Sequence, residues 1–89
     1  MLASRVISAA ELRSHRGPDS CWICIDGIVY DVTRFMKDHP GGKKVLLSVG
    51  GQDASEKFHS LHQLSVLTQY EDLVVGSIGN YDLYLWISG

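Results

Sequence analysis

The sequence has few cysteines, no excess of positive charge and no long apolar run. Its 89 residues contain two cysteines, and 10 acidic against 8 basic side chains give a formal net charge of -2. Because Cys21 and Cys24 are too few and too close together to cross-link a secreted scaffold, a reducing compartment is expected. The near-neutral balance provides no basic field for nucleic acid, so nucleic acid is not expected as a partner.

Long apolar stretches are also missing. A membrane-spanning helix needs about 20 apolar residues, and the longest run in the C-terminal tail covers only residues 83–87. The N-terminal residues turn polar too soon for a signal peptide. We therefore expect a soluble, cytoplasmic protein with no span after Gly76, and a tail segment 81–86 that packs back on the domain or on a partner.

The small size limits the core that the chain can bury. A content of 45% hydrophobic and 20% charged residues excludes a disordered polyelectrolyte. Ordering a chain of this length costs on the order of 100 kcal/mol, so its stability is marginal unless something supplements the core. We expect one domain over residues 1–89, with a core at about 6–78 and a tail at 79–89, and a bound cofactor would be such a supplement.

Turn and capping signals divide the chain into short strands and helices, with no visible internal repeat. A short strand at 6–7 precedes a helix from Ala9, which the S-x-x-E spacing of Ser8 and Glu11 begins. Asp26-Gly27 joins strands 21–25 and 28–31 into a hairpin, because both residues tolerate positive backbone angles. The later part of the chain is predicted to contain four helices and a strand. The helices cover 34–38, capped by Thr33; 43–49, opened by Gly41-Gly42; the segment from the capping box Asp53-Ala-Ser-Glu56 to about Leu61; and 65–72. The strand covers 73–78.

The arrangement predicts an α+β fold in which paired short helices are inserted between strands and form a cleft. His39-Pro40-Gly41-Gly42 is the sharpest local feature of the sequence. Proline disfavours the α region for His39, which is expected at the mouth of a turn, and the glycines permit close approach of a flat ligand.

A second histidine occurs in an apolar context. Helical spacing places Ala54, Phe58, Leu61 and His62 in one stripe, whereas His59 falls at the flank or in solvent. Two neutral imidazoles, one on the stripe and one on the turn, could bind one metal from opposite sides. Apolar surroundings favour haem iron over a naked ion, because a porphyrin has a large apolar face to bury.

These residues carry a family resemblance. WICIDGIVYDVTRFMKDHPGG over 22–42 and GQDASEKFHSLH over 51–62 resemble the cytochrome b5 haem-binding domain over roughly residues 6–78. HPGG alone is a weak signal, but HPGG after W-x-x-x-x-G-x-V-Y-D-V-T-x-F and before G-x-D-A-x-x-x-F-x-x-x-H is very specific.

The resemblance implies a cytochrome b5-like fold, a small mixed sheet with two helix pairs, and one non-covalent haem b per chain. It implies His39 and His62 as the axial ligands, 23 residues apart as in fused haem domains such as flavocytochrome lactate dehydrogenase. With both axial sites filled, the protein would be an electron carrier and not an enzyme. The matching pocket positions are Ile25, Val32, Phe35, Pro40, Gly41, Leu46, Phe58, Leu61, Gln63, Leu67 and Leu73, with Leu64 and Tyr70 as weaker candidates.

Two departures from the family pattern concern the rim of the pocket. Gln63 stands where microsomal members often have a serine that binds a haem propionate. Lys37, Lys43, Lys44 and Ser48 occupy the stretch where those members have a band of carboxylates. We therefore expect weaker salt-dependent steering to basic partners such as cytochrome c.

Three functional classes remain open. The leading one is a monomeric electron carrier that accepts from a flavin reductase and donates to a desaturase, hydroxylase or cytochrome. The second is the haem domain of a larger oxidoreductase of desaturase, reductase or flavocytochrome type. The third is a zinc or interaction module, and the C-x-x-C spacing of Cys21 and Cys24 is the reason to consider zinc. A strand would send the two thiols to opposite faces, which disfavours zinc.

Overall fold

Short strands and short helices alternate along residues 5–79, which are the residues that the computed structural model describes, apart from the side chain of Pro40. The 81–86 tail prediction therefore lies outside the described residues. The elements are β1 (Val6–Ile7), α1 (Ala9–Ser14), β2 (Arg16–Gly17), β3 (Ser20–Ile25), β4 (Ile28–Asp31), α2 (Thr33–Asp38), α3 (Pro40–Ser48), α4 (Ser55–Leu61), a 3-10 helix (Leu64–Leu73) and β5 (Val74–Ile78).

The five strands form one mixed sheet in the order β1-β5-β4-β3-β2, in which only β1 and β5 are parallel. The hairpin prediction is confirmed. Asp26 and Gly27 adopt φ values of 52° and 83°, which match the positive angles that a two-residue hairpin turn requires. β2 was not predicted.

The alternating side chains of β3 divide the core between the two faces of the sheet. Cys21, Ile23 and Ile25 pack on the face that carries α2, α3 and α4. Trp22 and Cys24 pack on the other face, in a cluster that includes residues of α1 and β5. The prediction that the two cysteines point to opposite faces is confirmed, and both are free thiols.

Two predicted helix starts are wrong by one or two residues. α2 begins at Thr33, because the Asp31 side chain accepts the Thr33 N–H at 3.0 Å, so Thr33 is not the cap. α4 begins at Ser55, because Asp53 accepts the Ser55 N–H at 2.9 Å and no capping box forms with the residue at position 56. The Ser8 cap of α1 is confirmed, since its hydroxyl accepts the Glu11 N–H at 3.0 Å.

The helix after the histidine turn also begins earlier than predicted. α3 begins at Pro40 and not at Lys43, since proline suits the first helical position, where its missing N–H has no intrahelical partner. His39 has φ -131° and ψ 73°, outside both helices, as expected of a residue before proline. The last predicted helix is a 3-10 helix with a kink at Tyr70. Within residues 5–79 no helix is both long and apolar enough to cross a membrane.

Candidate functional site

An apolar cleft of about 590 Å³, including the part that opens to solvent, lies between the sheet and the helices. β3 and β4 form its floor, α2 and α3 form one wall, and α4 and the 3-10 helix form the other. The lining residues are Ile23, Ile25, Tyr30, Val32, Phe35, Leu46, Phe58, His62, Val66, Leu67, Tyr70 and Leu73.

Most of the residues predicted for the pocket lie in this lining. Gly41, Leu61 and Gln63 are exposed and are not among the lining residues, and the side chain of Pro40 lies outside the description. Leu61 is 65% exposed, so the predicted helical stripe is wrong at this position, whereas Phe58 and His62 line the cleft. The predicted residues that do line the cleft are Ile25, Val32, Phe35, Leu46, Phe58, His62, Leu67 and Leu73, together with the weaker candidate Tyr70. The other weaker candidate, Leu64, is 58% exposed and does not line the cleft.

Three lining residues were missed from the sequence: Ile23, Tyr30 and Val66. Two of them follow from strand periodicity, because side chains two residues apart share one face of a strand. Ile25 therefore implies Ile23, and Tyr30 is the residue paired with Ile23 across the hairpin. Val66 lies in the 3-10 helix, where the sequence offers no comparable alternation.

The two predicted ligand histidines occupy equivalent positions at the ends of helices. The backbone N–H of His39 donates to the Phe35 carbonyl at 3.0 Å, and that of His62 donates to the Phe58 carbonyl at 2.8 Å. Each imidazole also packs against the phenylalanine that accepts its backbone hydrogen bond. The ring centroids are 4.3 Å apart for Phe35 and His39 and 5.2 Å apart for Phe58 and His62. His62 lines the cleft directly, whereas His39 contacts it through Phe35.

A local repeat positions both helices, although the sequence was predicted to contain none. The Thr33 hydroxyl accepts the Cys21 N–H at 2.9 Å, and the Ser55 hydroxyl accepts the Asp26 N–H at 2.8 Å. Both hydroxyls donate to an aspartate two residues earlier, Asp31 or Asp53. The residues before the two helices share φ -103° and ψ 14°. The pattern D-x-[TS] followed by F-x-x-x-H is the sequence signal of this repeat.

The other two histidines make structural contacts. His59 is exposed, as predicted, and its Nε2 lies 2.8 Å from Asp26 Oδ2 and 3.0 Å from Oδ1. This pair connects α4 to the hairpin turn. His15 stacks on Trp22 with centroids 3.6 Å apart, and its Nδ1 lies 2.7 Å from the Ser20 hydroxyl.

Three buried ionisable groups are held in their neutral forms: Cys24 on the face of the sheet opposite the cleft, and Cys21 and Tyr30 on the cleft face. Burial, with a smaller contribution from Asp53, raises the pKa of Cys24 to about 12. Burial also raises the pKa of Cys21 and of the cleft residue Tyr30. A zinc site needs deprotonated thiols, and within residues 5–79 no group of three or more His, Cys, Asp or Glu side chains could hold a metal ion. Nothing in this part of the chain supports the zinc alternative.

Comparison with known proteins identifies the family. The model of the cytochrome b5-like heme/steroid binding domain matches residues 8–79. The chain belongs to this family, whose cytochrome b5 members bind b-type haem non-covalently. The predicted α+β fold with a mixed sheet is thereby confirmed.

Individual relatives agree with the family match. The chain is 44% identical to cytochrome b5 of Cuscuta reflexa, covering 88% of this chain and 58% of that protein. It is 42% identical to nitrate reductase [NADH] 2 of Phaseolus vulgaris, covering 85% of this chain but 8% of that protein. The chain thus spans little more than half of a free cytochrome b5 and a small part of a nitrate reductase.

A solved structure supports the same fold. Cytochrome b5 of Ostreococcus tauri virus 2 is 41% identical, with a TM-score of 0.75, and the match covers 82% of this chain and 95% of that one. Cytochrome b558 of Ectothiorhodospira vacuolata, described as a prokaryotic homologue of cytochrome b5, is 28% identical with a TM-score of 0.71.

The chemistry of the cleft fits a haem. Among its lining side chains only His62 and the two tyrosines carry polar atoms. Such a surface suits the apolar faces of a porphyrin, and imidazole nitrogen is a common haem ligand. The site therefore offers a large apolar surface and a metal-binding nitrogen in the same cleft.

Proposed function

We propose that the chain is a single haem-binding domain in which His39 and His62 ligate the iron of one non-covalent haem b and which carries single electrons between redox partners. The observation that carries the proposal is the equivalent placement of the two histidines, each at the end of a helix and each packed on a phenylalanine of the cleft wall. His39 follows α2 on one wall of the cleft and His62 follows α4 on the other, which supports ligation of one iron by both.

The haem would supply reversible one-electron exchange, because two protein ligands leave no coordination site for oxygen or substrate. The residues of the chain would hold its ligands in place and surround it with apolar side chains. The helix-ending hydrogen bonds fix the backbone of both histidines, and the contacts with Phe35 and Phe58 restrict their rings. Rigid ligands keep the structural change between oxidation states small, which favours fast electron exchange.

The physiological setting is also a proposal. Cytochrome b5 domains work with redox partners, and one occurs in nitrate reductase. We propose a flavin reductase as donor and a desaturase, hydroxylase or cytochrome as acceptor, for a soluble, cytoplasmic monomer. The alternative is a haem domain within a larger oxidoreductase, which the similarity to 8% of a nitrate reductase favours. The same cleft would serve both arrangements.

Haem reconstitution tests the proposal. Haemin is titrated into the purified chain, and spectra are recorded before and after reduction with dithionite and again after reoxidation. We expect one haem per chain, a low-spin six-coordinate spectrum in both oxidation states and full reversibility. The double variant His39→Ala/His62→Ala is the control for non-specific haemin binding. A high-spin spectrum in the unsubstituted protein, or equal binding by the double variant, would refute the proposal.

A further inference from the structure

The two walls of the cleft carry opposite charge. α2 and α3 contain four cationic residues and one carboxylate, Asp38, whereas α4 and the 3-10 helix contain one lysine and three carboxylates. All of these charged side chains are exposed. The cations of the first wall are Arg34, Lys37, Lys43 and Lys44, and we call them the basic surface. The charged residues of the second wall are Glu56, Lys57, Glu71 and Asp72.

The cations of the basic surface are not neutralised by neighbouring carboxylates. In the part of the chain that the structure describes, the side-chain ion pairs join Arg5 to Glu11 and Asp26 to His59, and none involves the basic surface. A group of unpaired like charges creates a local field that attracts a surface of opposite charge. Internal ion pairing therefore does not explain this cluster.

The basic surface lies next to the proposed electron path. Arg34 precedes the cleft residue Phe35, and Lys43 lies three residues before the cleft residue Leu46 on α3. His39 joins the two helices of this wall and is itself exposed. Val45, 46% exposed on the same helix as the two adjacent lysines, adds an apolar contact of the kind that interface centres use.

We propose that the basic surface of α2 and α3 docks an acidic redox protein, which exchanges electrons with the haem from the His39 side. This inference rests on the proposed haem function and adds the charge class of the partner and the wall that it contacts. Opposite charge on the other wall orients the partner, because an acidic surface is attracted by one wall and repelled by the other.

A binding experiment tests the location directly. An acidic probe, a peptide of ten glutamates, is titrated into the 15N-labelled haem-loaded protein, and amide shifts are followed by NMR at low and moderate salt. We expect shift changes concentrated in residues 33–48 and lost at moderate salt. Lys37→Glu/Lys43→Glu/Lys44→Glu should abolish them, whereas the control Lys57→Glu, on the opposite wall, should leave them intact. Shifts centred on 55–73, or no shifts at low salt, would overturn the inference.

A kinetic experiment tests the consequence. The reduced protein is mixed with ferricyanide, which takes one electron from ferrous haem and becomes ferrocyanide, and separately with cationic hexaammineruthenium(III), which is reduced to the ruthenium(II) complex. From about 0.01 M to about 0.15 M salt the Debye length falls from about 30 Å to about 8 Å, so we expect the ferricyanide rate constant to fall roughly tenfold. In the triple lysine variant the attraction becomes repulsion, so its ferricyanide rate constant should rise with salt, whereas Lys57→Glu should keep the fall.

The outcomes separate the inference from the proposed function. A protein that gives no low-spin haem spectrum fails the proposed function before any docking is measured. If the unsubstituted protein has a normal haem spectrum but its ferricyanide rate constant rises with salt, the haem function stands and the docking surface is overturned. The same conclusion follows if the triple lysine variant shows the salt dependence of the unsubstituted protein.

Discussion

The backbone N–H of His62 donates to the carbonyl of Phe58 at 2.8 Å, while the rings of the same two residues pack 5.2 Å apart. Phe35 and His39 repeat this relationship at the end of α2. Each histidine is therefore positioned by the last turn of its helix and by the ring four residues earlier. The placement of the proposed iron ligands thus depends on how the start of α2 is anchored to β3 and the start of α4 to the hairpin turn.

The anchor of α2 predicts a specific loss of stability. Thr33→Val removes the hydroxyl that accepts the Cys21 N–H and donates to Asp31, so the half-buried Cys21 N–H loses this acceptor while Asp31 keeps only the bond from the Thr33 N–H. We expect the free energy of unfolding in urea to fall by about 1–3 kcal/mol. Thr68→Val is the matched control, since the Thr68 hydroxyl binds only a local carbonyl on an exposed helix. Equal losses in the two variants would contradict the anchoring role.

The contact between Asp26 and His59 predicts a small coupling between the hairpin turn and α4. Both side chains are close to half exposed, so a double-mutant cycle of Asp26→Asn and His59→Gln should give about 0.5 kcal/mol at low salt and less at high salt. The same cycle with Asp72→Asn in place of Asp26→Asn should give no coupling. Additive effects of Asp26→Asn and His59→Gln at low salt would show that the pair contributes nothing.

Burial of Cys24 predicts a loss of stability at alkaline pH. Its pKa is raised from 9.0 to about 12, so above pH 9.0 the unfolded chain releases the thiol proton while the folded protein retains it. The corresponding stability is fully present below pH 9.0 and is lost as the pH rises towards 12. Unfolding free energies from urea titrations between about pH 8 and pH 10.5 should fall less steeply in Cys24→Val than in the unsubstituted protein.

The controls for that measurement follow from the other buried groups. Cys21 and Tyr30 also have raised pKa values, so Cys24→Val should reduce the alkaline slope without abolishing it. An unchanged slope in Cys24→Val would mean that the thiol ionises equally in the folded and unfolded states.

Haem binding predicts a large stabilisation of this small domain. A ligand that binds only the folded state adds about 4 kcal/mol when its free concentration is 1,000 times the dissociation constant. Thermal unfolding followed by far-ultraviolet circular dichroism should therefore show a clearly higher midpoint after haemin addition. His59→Ala should show the same increase, and the double variant His39→Ala/His62→Ala should show little. An unfolding midpoint that does not rise when haemin is added would contradict the claim that bound haem completes the apolar core.

The sequence predicts features whose determinants are local. Asp26-Gly27 specifies the hairpin because the turn depends on the backbone angles of two residues. The helix starts at Thr33 and Ser55 were misplaced because aspartate binds the N–H two residues later, where a capping box would bind three residues later. The Thr33 and Ser55 hydroxyls accept the N–H groups of Cys21 in β3 and of Asp26 in the hairpin turn, contacts between residues that are distant in the sequence.

The cleft was predicted in part for a similar reason. Phe35 and Phe58 could be assigned to the cleft because the family motif places each of them four residues before one of the two candidate histidines. Leu61 was assigned to the same helical stripe as Phe58 and His62, but it is the last residue of α4 and is 65% exposed.

The spin state of the ferric haem in single histidine variants tests the central claim most directly. Electron paramagnetic resonance is recorded on haem-loaded unsubstituted protein, His39→Ala, His62→Ala and the control His59→Ala. We predict a low-spin signal in the unsubstituted protein and in His59→Ala, and a high-spin signal or loss of haem in each of the other two. An unchanged low-spin signal in either His39→Ala or His62→Ala would show that the iron is not held by this pair.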